Sequence, residues 1–115
     1  MIADEKMSDT IRLDDVLRPM GITRTLKAYR ILRECLLLIL EKEDRLEAVQ
    51  KEIYEPVAEK HICDWTAIQS AVRRAAQTAW NRNPEYLEQM AGYALDGAPS
   101  AAQFLEMLYN RIVRV

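Results

Sequence analysis

Four prolines decide where a helical chain of this kind can run straight. A proline inside a helix removes one backbone donor, and its ring collides with the carbonyl four residues back, so each marks a helix end, a helix start or a kink. Pro19, Pro56, Pro84 and Pro99 all stand at or within segments whose apolar residues recur at helical spacing. Pro19, with Gly21 two residues on, closes a first segment in which Ile11, Leu13, Val16, Leu17 and Met20 share a face. The Thr23 hydroxyl is placed to cap the next, from about Arg24 to Lys42. There Leu26, Tyr29, Ile31, Leu32, Cys35, Leu36, Ile39 and Leu40 cover an arc wide enough for the centre of a bundle. Leu46, Val49, Ile53, Val57 and Ala58 carry the pattern on to Lys60, and Pro56 is expected to split it, standing in the first turn of the second piece.

The remaining helices come with their own start signals. Asp64, or alternatively Thr66, caps a helix from Trp65 to about Arg82, whose inward stripe is Ile68, Ala71, Val72, Ala75 and Ala79. Asn83 followed by Pro84 opens a short helix reaching about Tyr93, with Gly92 or Gly97 at its end. Pro99 and Ser100 open the last one. Ser100 and Gln103 have the spacing of a capping box, and Phe104, Leu105, Met107, Leu108, Ile112 and Val115 give an apolar face. Few β-branched runs and only three glycines reinforce the assignment. The expectation is an all-α bundle of about six helices, a single domain over residues 9–115 after a flexible tail at residues 1–8.

Composition narrows the function classes. At 115 residues, 50% hydrophobic and 30% charged, the chain has the balance of a soluble domain that can bury roughly two-thirds of its unfolded surface. Its longest apolar run, Cys35 to Leu40, is too short to span a bilayer, and the acidic N-terminus lacks the basic start of a secretory signal. A cytoplasmic protein with two reduced thiols, Cys35 and Cys63, is expected. One histidine and two distant cysteines make no zinc site. There is no Gly-rich phosphate loop and no nucleophile beside a base, so neither a cofactor nor an enzyme activity is expected. His61 is read as a packing residue, Trp65 as packing on the preceding helix, and Trp80 as core. The acidic run Glu41, Glu43 and Asp44 is read as a junction facing water.

Val57, Ala58 and Ile68 carry the apolar-then-Ala and ten-further-on spacing of a helix-turn-helix, a motif whose second helix enters the DNA major groove. The turn departs from the pattern, with His61 and Ile62 where an apolar residue and a glycine are commonest. More specific are four stretches, GITRTLKAYRILRECL from Gly21, IYEPVAEKH from Ile53, AVRRAAQTAWNR from Ala71 and PSAAQFLEML from Pro99. Their order and spacing resemble the C-terminal effector domain of the master sporulation response regulator of endospore-forming Firmicutes, over roughly residues 9–113. The resemblance implies a six-helix transcription regulator that binds double-stranded DNA at short promoter boxes, often as a tandem pair. It therefore implies a homodimer on DNA, and it makes the full-length regulator a second candidate partner. In the family a phosphoacceptor receiver precedes this domain. None is present in these residues, so a stand-alone paralogue or a fragment without an aspartyl switch is expected.

The resemblance also marks what has changed. Where the family's recognition helix opens Ser-Arg-Val-Glu-Arg, this chain reads Thr66, Ala67, Ile68, Gln69 and Ser70. Arg73 is kept, Arg74 replaces a histidine, and Lys27 matches a family lysine. From the residues themselves, Thr66, Gln69, Ser70 and Arg73 are the candidate base contacts: Gln pairs bidentately with adenine, Arg with guanine, and Ser with several base edges. Arg24, Lys27, Arg30 and Arg74 are the candidate phosphate contacts. The same residues also suit a merely solvated face, and a net charge of −2 means that any DNA surface is a local patch on an acidic molecule. The alternative is therefore an interaction module of the same fold that modulates a full-length regulator without touching DNA.

Overall fold

The computed structural model describes residues 12–113. Residues 12–17, here α1, are helical and run into a 3-10 turn, Arg18–Met20. Then follow α2 (Lys27–Glu41), a 3-10 stretch (Glu43–Ala48), a π-helical stretch (Gln50–Tyr54), α3 (Glu55–His61), α4 (Trp65–Arg82), α5 (Pro84–Ala91) and α6 (Ala101–Val113). No strand occurs among the described residues. The all-α expectation holds; Ile11, Val115 and the tail lie outside the described residues.

The prolines act where the sequence places them. Pro19 and Gly21 stop the first segment: Gly21 takes the left-handed conformation at φ 77° and closes the turn with its N–H on the Arg18 carbonyl. The Arg82 guanidinium lies directly over it, 3.3 Å from where a Cβ would stand. Pro56 does not interrupt the chain path but changes its pitch. The Glu55 N–H reaches back five residues to the Gln50 carbonyl, so the turn before Pro56 is widened into a π stretch and α3 restarts with the proline in its first turn. The Asn83 side chain accepts from the Tyr86 N–H at 3.4 Å, and Gly92, at φ 85°, ends α5. At α6 the Ser100 hydroxyl accepts from the Gln103 N–H at 3.1 Å, and the Gln103 side chain accepts from the Ser100 N–H at 3.4 Å, a reciprocal capping box.

The start of α2 differs from the expectation. Thr23 does not cap it; its hydroxyl lies 3.1 Å from that of Thr25, and the Leu26 N–H closes a tight turn on the Thr23 carbonyl. The helix begins at Lys27, three residues later than its pattern suggests, and Leu26 precedes it in extended conformation with no side-chain cap. The β-branched Thr23 and Thr25 on either side of Arg24 weakly disfavour extending the helix through them. An ion pair from Arg24 to Asp14 on α1 then holds the turn, with Nη2–Oδ2 at 2.5 Å. The other end of α2 is acidic, but its carbonyls find a cation from outside: Arg45, in the 3-10 stretch, donates to the Leu38 carbonyl at 2.6 Å.

One buried cluster draws on every element but the 3-10 stretch Glu43–Ala48, whose Leu46 packs half-buried against it. The wide apolar arc of α2 holds from Tyr29 to Ile39, with Leu32, Cys35, Leu36 and Ile39 at most 1% exposed, whereas Leu26, expected in it, precedes the helix and is 43% exposed. The centre is shared with α4, which packs on α2, α3, α5, α6, the π stretch and the first 3-10 turn. Its buried stripe is Ile68, Val72, Ala75, Ala76 and Ala79. Ala76 joins it where the pattern had put Ala71, which is half-buried on the flank. Alanines in this stripe let neighbouring helices approach closely, so α4 is fixed along its length from one side while its other side stays in water.

Candidate nucleic-acid interface

The helix pair at the heart of the molecule is α3 and α4, joined by Ile62, Cys63 and Asp64. Val57, Ala58 and Ile68 are each no more than 3% exposed and set the packing of the pair, as the motif spacing requires. Asp64 caps α4, its carboxylate accepting from the Thr66 N–H at 3.3 Å. Trp65 stacks on Tyr54, with ring centroids 6.4 Å apart and planes 4° from parallel, which ties the first turn of α4 to the π stretch. His61 Nε2 lies 2.9 Å from Glu34 Oε2, with both side chains half-buried, so this residue is a polar link from α3 to α2 as well as a packing one.

The turn between the helices is strained at one residue. The Cys63 N–H bonds to the Ala58 carbonyl at 3.1 Å and the Ile62 N–H to that of Glu59 at 3.3 Å, the paired bonds of a Schellman ending. That geometry puts Ile62 in the left-handed region at φ 51°, where a β-branched side chain is disfavoured by about 1–2 kcal/mol. Ile62 is also 93% exposed, so its burial compensates nothing.

The predicted base contacts fall on the outer side of α4. Thr66 and Arg73 are exposed; Gln69 and Ser70 are half-buried beside them. All four lie within the first nine residues of the helix, the end that a recognition helix presents to base edges. Arg73 has no ion pair or hydrogen bond among the described residues, and its guanidinium is not committed to the fold. Further along, Gln77 is taken up by a 2.9 Å hydrogen bond from its side-chain amide to Asn81.

The predicted phosphate contacts divide. Lys27 and Arg30, at the start of α2, are exposed and unpaired among the described residues, as is Arg74 on α4. Leu26 gives no side-chain cap, so the positive end of α2 has no capping side chain beside Lys27, a combination that favours an anion. Arg24 is different. It lies in the turn and not on the helix, and its Nε donates to Asp14 at 2.8 Å. Asp14 also accepts from the Tyr29 hydroxyl. Partial burial acts to raise the Asp14 carboxyl, but the hydrogen bonds from Arg24 and Tyr29 outweigh it and hold it below the usual carboxylate range. Arg24 thus serves first to fasten α1 to the start of α2. Nothing local in the sequence signals this partner, which lies ten residues away across a helix boundary.

The thiols are free. Cys35 is fully buried and its pKa is pushed up by burial to about 12; Cys63 is exposed beside the turn. No cluster of three or more His, Cys, Asp or Glu side chains suited to a metal occurs among the described residues, and no helix among them is long and apolar enough to cross a membrane. Against known families, the chain matches the model described as the C-terminal domain of sporulation initiation factor Spo0A, over residues 13–112.

Proposed function

Because this chain belongs to the Spo0A C-terminal family of DNA-binding sporulation regulators, a family of regulators and not of enzymes, we propose that it is itself a cytoplasmic transcription regulator reading a promoter sequence altered from the family box. The observation that carries the reading is α4 itself. It is capped at its start and buried along one side. It presents Thr66, Gln69, Ser70 and Arg73 outward, with Lys27, Arg30 and Arg74 flanking and no ion pair on any of these cations among the described residues. In a molecule with more acidic than basic residues, cations left unpaired on adjoining surfaces of two helices are available to duplex phosphates. Gln69 and Arg73 would read adenine and guanine edges. Arg24, committed to Asp14, contributes through the fold and not as a principal phosphate clamp.

Tandem boxes would hold two copies as a homodimer on DNA. Selection from randomised duplexes, followed by mobility shifts on the selected sequence and on the family box, tests the proposal. The expected result is a selected sequence distinct from the family box, and relaxed preference at one position for Gln69→Ala, worth about 1–3 kcal/mol of discrimination. Failure to enrich any sequence, together with co-purification of a full-length regulator that Arg73→Ala leaves unchanged, would favour the interaction-module reading. The observation behind that second reading is the net charge of −2, and Leu26 and Ile62 are among the exposed apolar side chains such a module could use.

A further inference from the structure

A groove of about 420 Å³ runs between the start of α2 and the flank of α4. Its floor is apolar, made by Ile22, Ile31, Ile68, Ala71 and Ala75. Lys27 comes from one side and Arg74 from the other. No aspartate or glutamate lines it, although the chain carries 18 of them. Both cations are exposed and neither is in an ion pair among the described residues. The volume lies in the range of small-molecule sites, and an apolar floor with a few convergent polar groups is their usual composition.

These features select the ligand chemistry. A bare phosphate, or a DNA backbone crossing the mouth, would meet Lys27 and Arg74 but leave the apolar floor uncovered. A neutral apolar molecule would fill the floor and leave both cations unused. A compact apolar body with one anionic end satisfies both; no carboxylate lines the groove, and the one behind it, Glu34, is taken up by its 2.9 Å contact with the lining residue His61, so repulsion is less than elsewhere on an acidic protein. We infer that the groove is a binding site for a small amphipathic monoanion, an aryl or medium-chain alkyl carboxylate. The anion lies between Lys27 and Arg74 and the apolar body rests on Ile31, Ile68 and Ala71. A consequence, which rests on the DNA-binding reading above, is regulation: ligand and duplex draw on the same two cations, so each displaces the other.

The test uses the whole chain. Fluorescence of 8-anilinonaphthalene-1-sulfonate, an aryl anion, is titrated with folded protein, and the probe is then displaced by decanoate, by 2-naphthoate and by decanol. Saturable one-to-one binding is expected, displaced by both acids and about tenfold less well by the alcohol. Which acid displaces better distinguishes an alkyl from an aryl ligand. Lys27→Gln with Arg74→Gln should weaken probe binding by about tenfold or more, and Ala71→Leu should abolish it by filling the floor. The double variant alters only exposed positions, so it decides the matter even where Ala71→Leu perturbs folding, which circular dichroism reports. No saturable binding, equal displacement by decanol, or binding unchanged in the double variant would overturn the site. Release of a labelled duplex by decanoate supports the competition, and a duplex that stays bound at saturating decanoate overturns that consequence alone. If the protein binds no DNA at all, the fluorescence arm still decides the site.

Discussion

At the scale of single residues, two side chains carry more than their positions suggest. Ile62 occupies a left-handed position that glycine normally fills, at the turn leading into α4. Replacing it removes the β-branched penalty, offset in part by glycine's greater freedom in the unfolded chain. Ile62→Gly should therefore stabilise the domain by about 1 kcal/mol in urea unfolding, with an unchanged slope. Asp14 is the second. Its carboxyl is held below its usual range, so the stability it contributes is fully present above the unfolded value near 3.9 and is lost as pH falls through the lower folded value. Asp14→Asn should cost about 1 kcal/mol at neutral pH, a modest figure because Arg24 is mostly solvent-exposed. The gap between the two proteins, followed by thermal unfolding, should be constant near neutral pH and close progressively as pH falls below the unfolded carboxylate value near 3.9. A gap that persists in strong acid would mean that the charge is not the cause.

Among the elements, α4 is where scaffold and readout meet. The inner side of the helix is fixed by small residues, and its first turn by Asp64 and the Tyr54–Trp65 stack. Variants of the outer side should then alter binding without altering the fold. Arg73→Ala is expected to lower DNA affinity by about tenfold or more with little change in unfolding midpoint. Lys27→Gln and Arg74→Gln should each weaken binding evenly across sequences and flatten the salt dependence by about one unit of slope. Much of this scaffold was legible in the sequence. Prolines and polar caps act within a turn of where they stand, so Asp64, Asn83 and Ser100 placed their helix boundaries correctly, while Pro56 marks a change of pitch where a split was expected. What was not legible depends on partners from elsewhere in the chain. The later start of α2 is held by Arg24 on Asp14, and the acidic end of α2 is relieved by Arg45 arriving from the next turn. The left-handed geometry of Ile62 was hidden for another reason: its residue type argues against the conformation that the turn imposes. Within the candidate interface, the outward face of α4 followed from periodicity, while the groove between α4 and α2 needed the packing of two helices distant in sequence.

For the molecule as a whole, the question is how a chain of net charge −2 engages a polyanion. The charge is divided by position: the acidic end of α2 and the 3-10 stretch carry Glu41, Glu43 and Asp44, while the start of α2 and the flank of α4 carry Lys27, Arg30 and Arg74. A local patch of this size supports few phosphate contacts, so affinity should be moderate and strongly dependent on salt. The central claim is that α4 and the start of α2 form a working DNA surface. It is tested most directly by fluorescence anisotropy of the family promoter box and of a randomised duplex pool, titrated with the protein at low and at moderate salt. The account predicts measurable binding to both at low salt, reduced at moderate salt and by Arg73→Ala. Absence of binding to either duplex at low salt would contradict it.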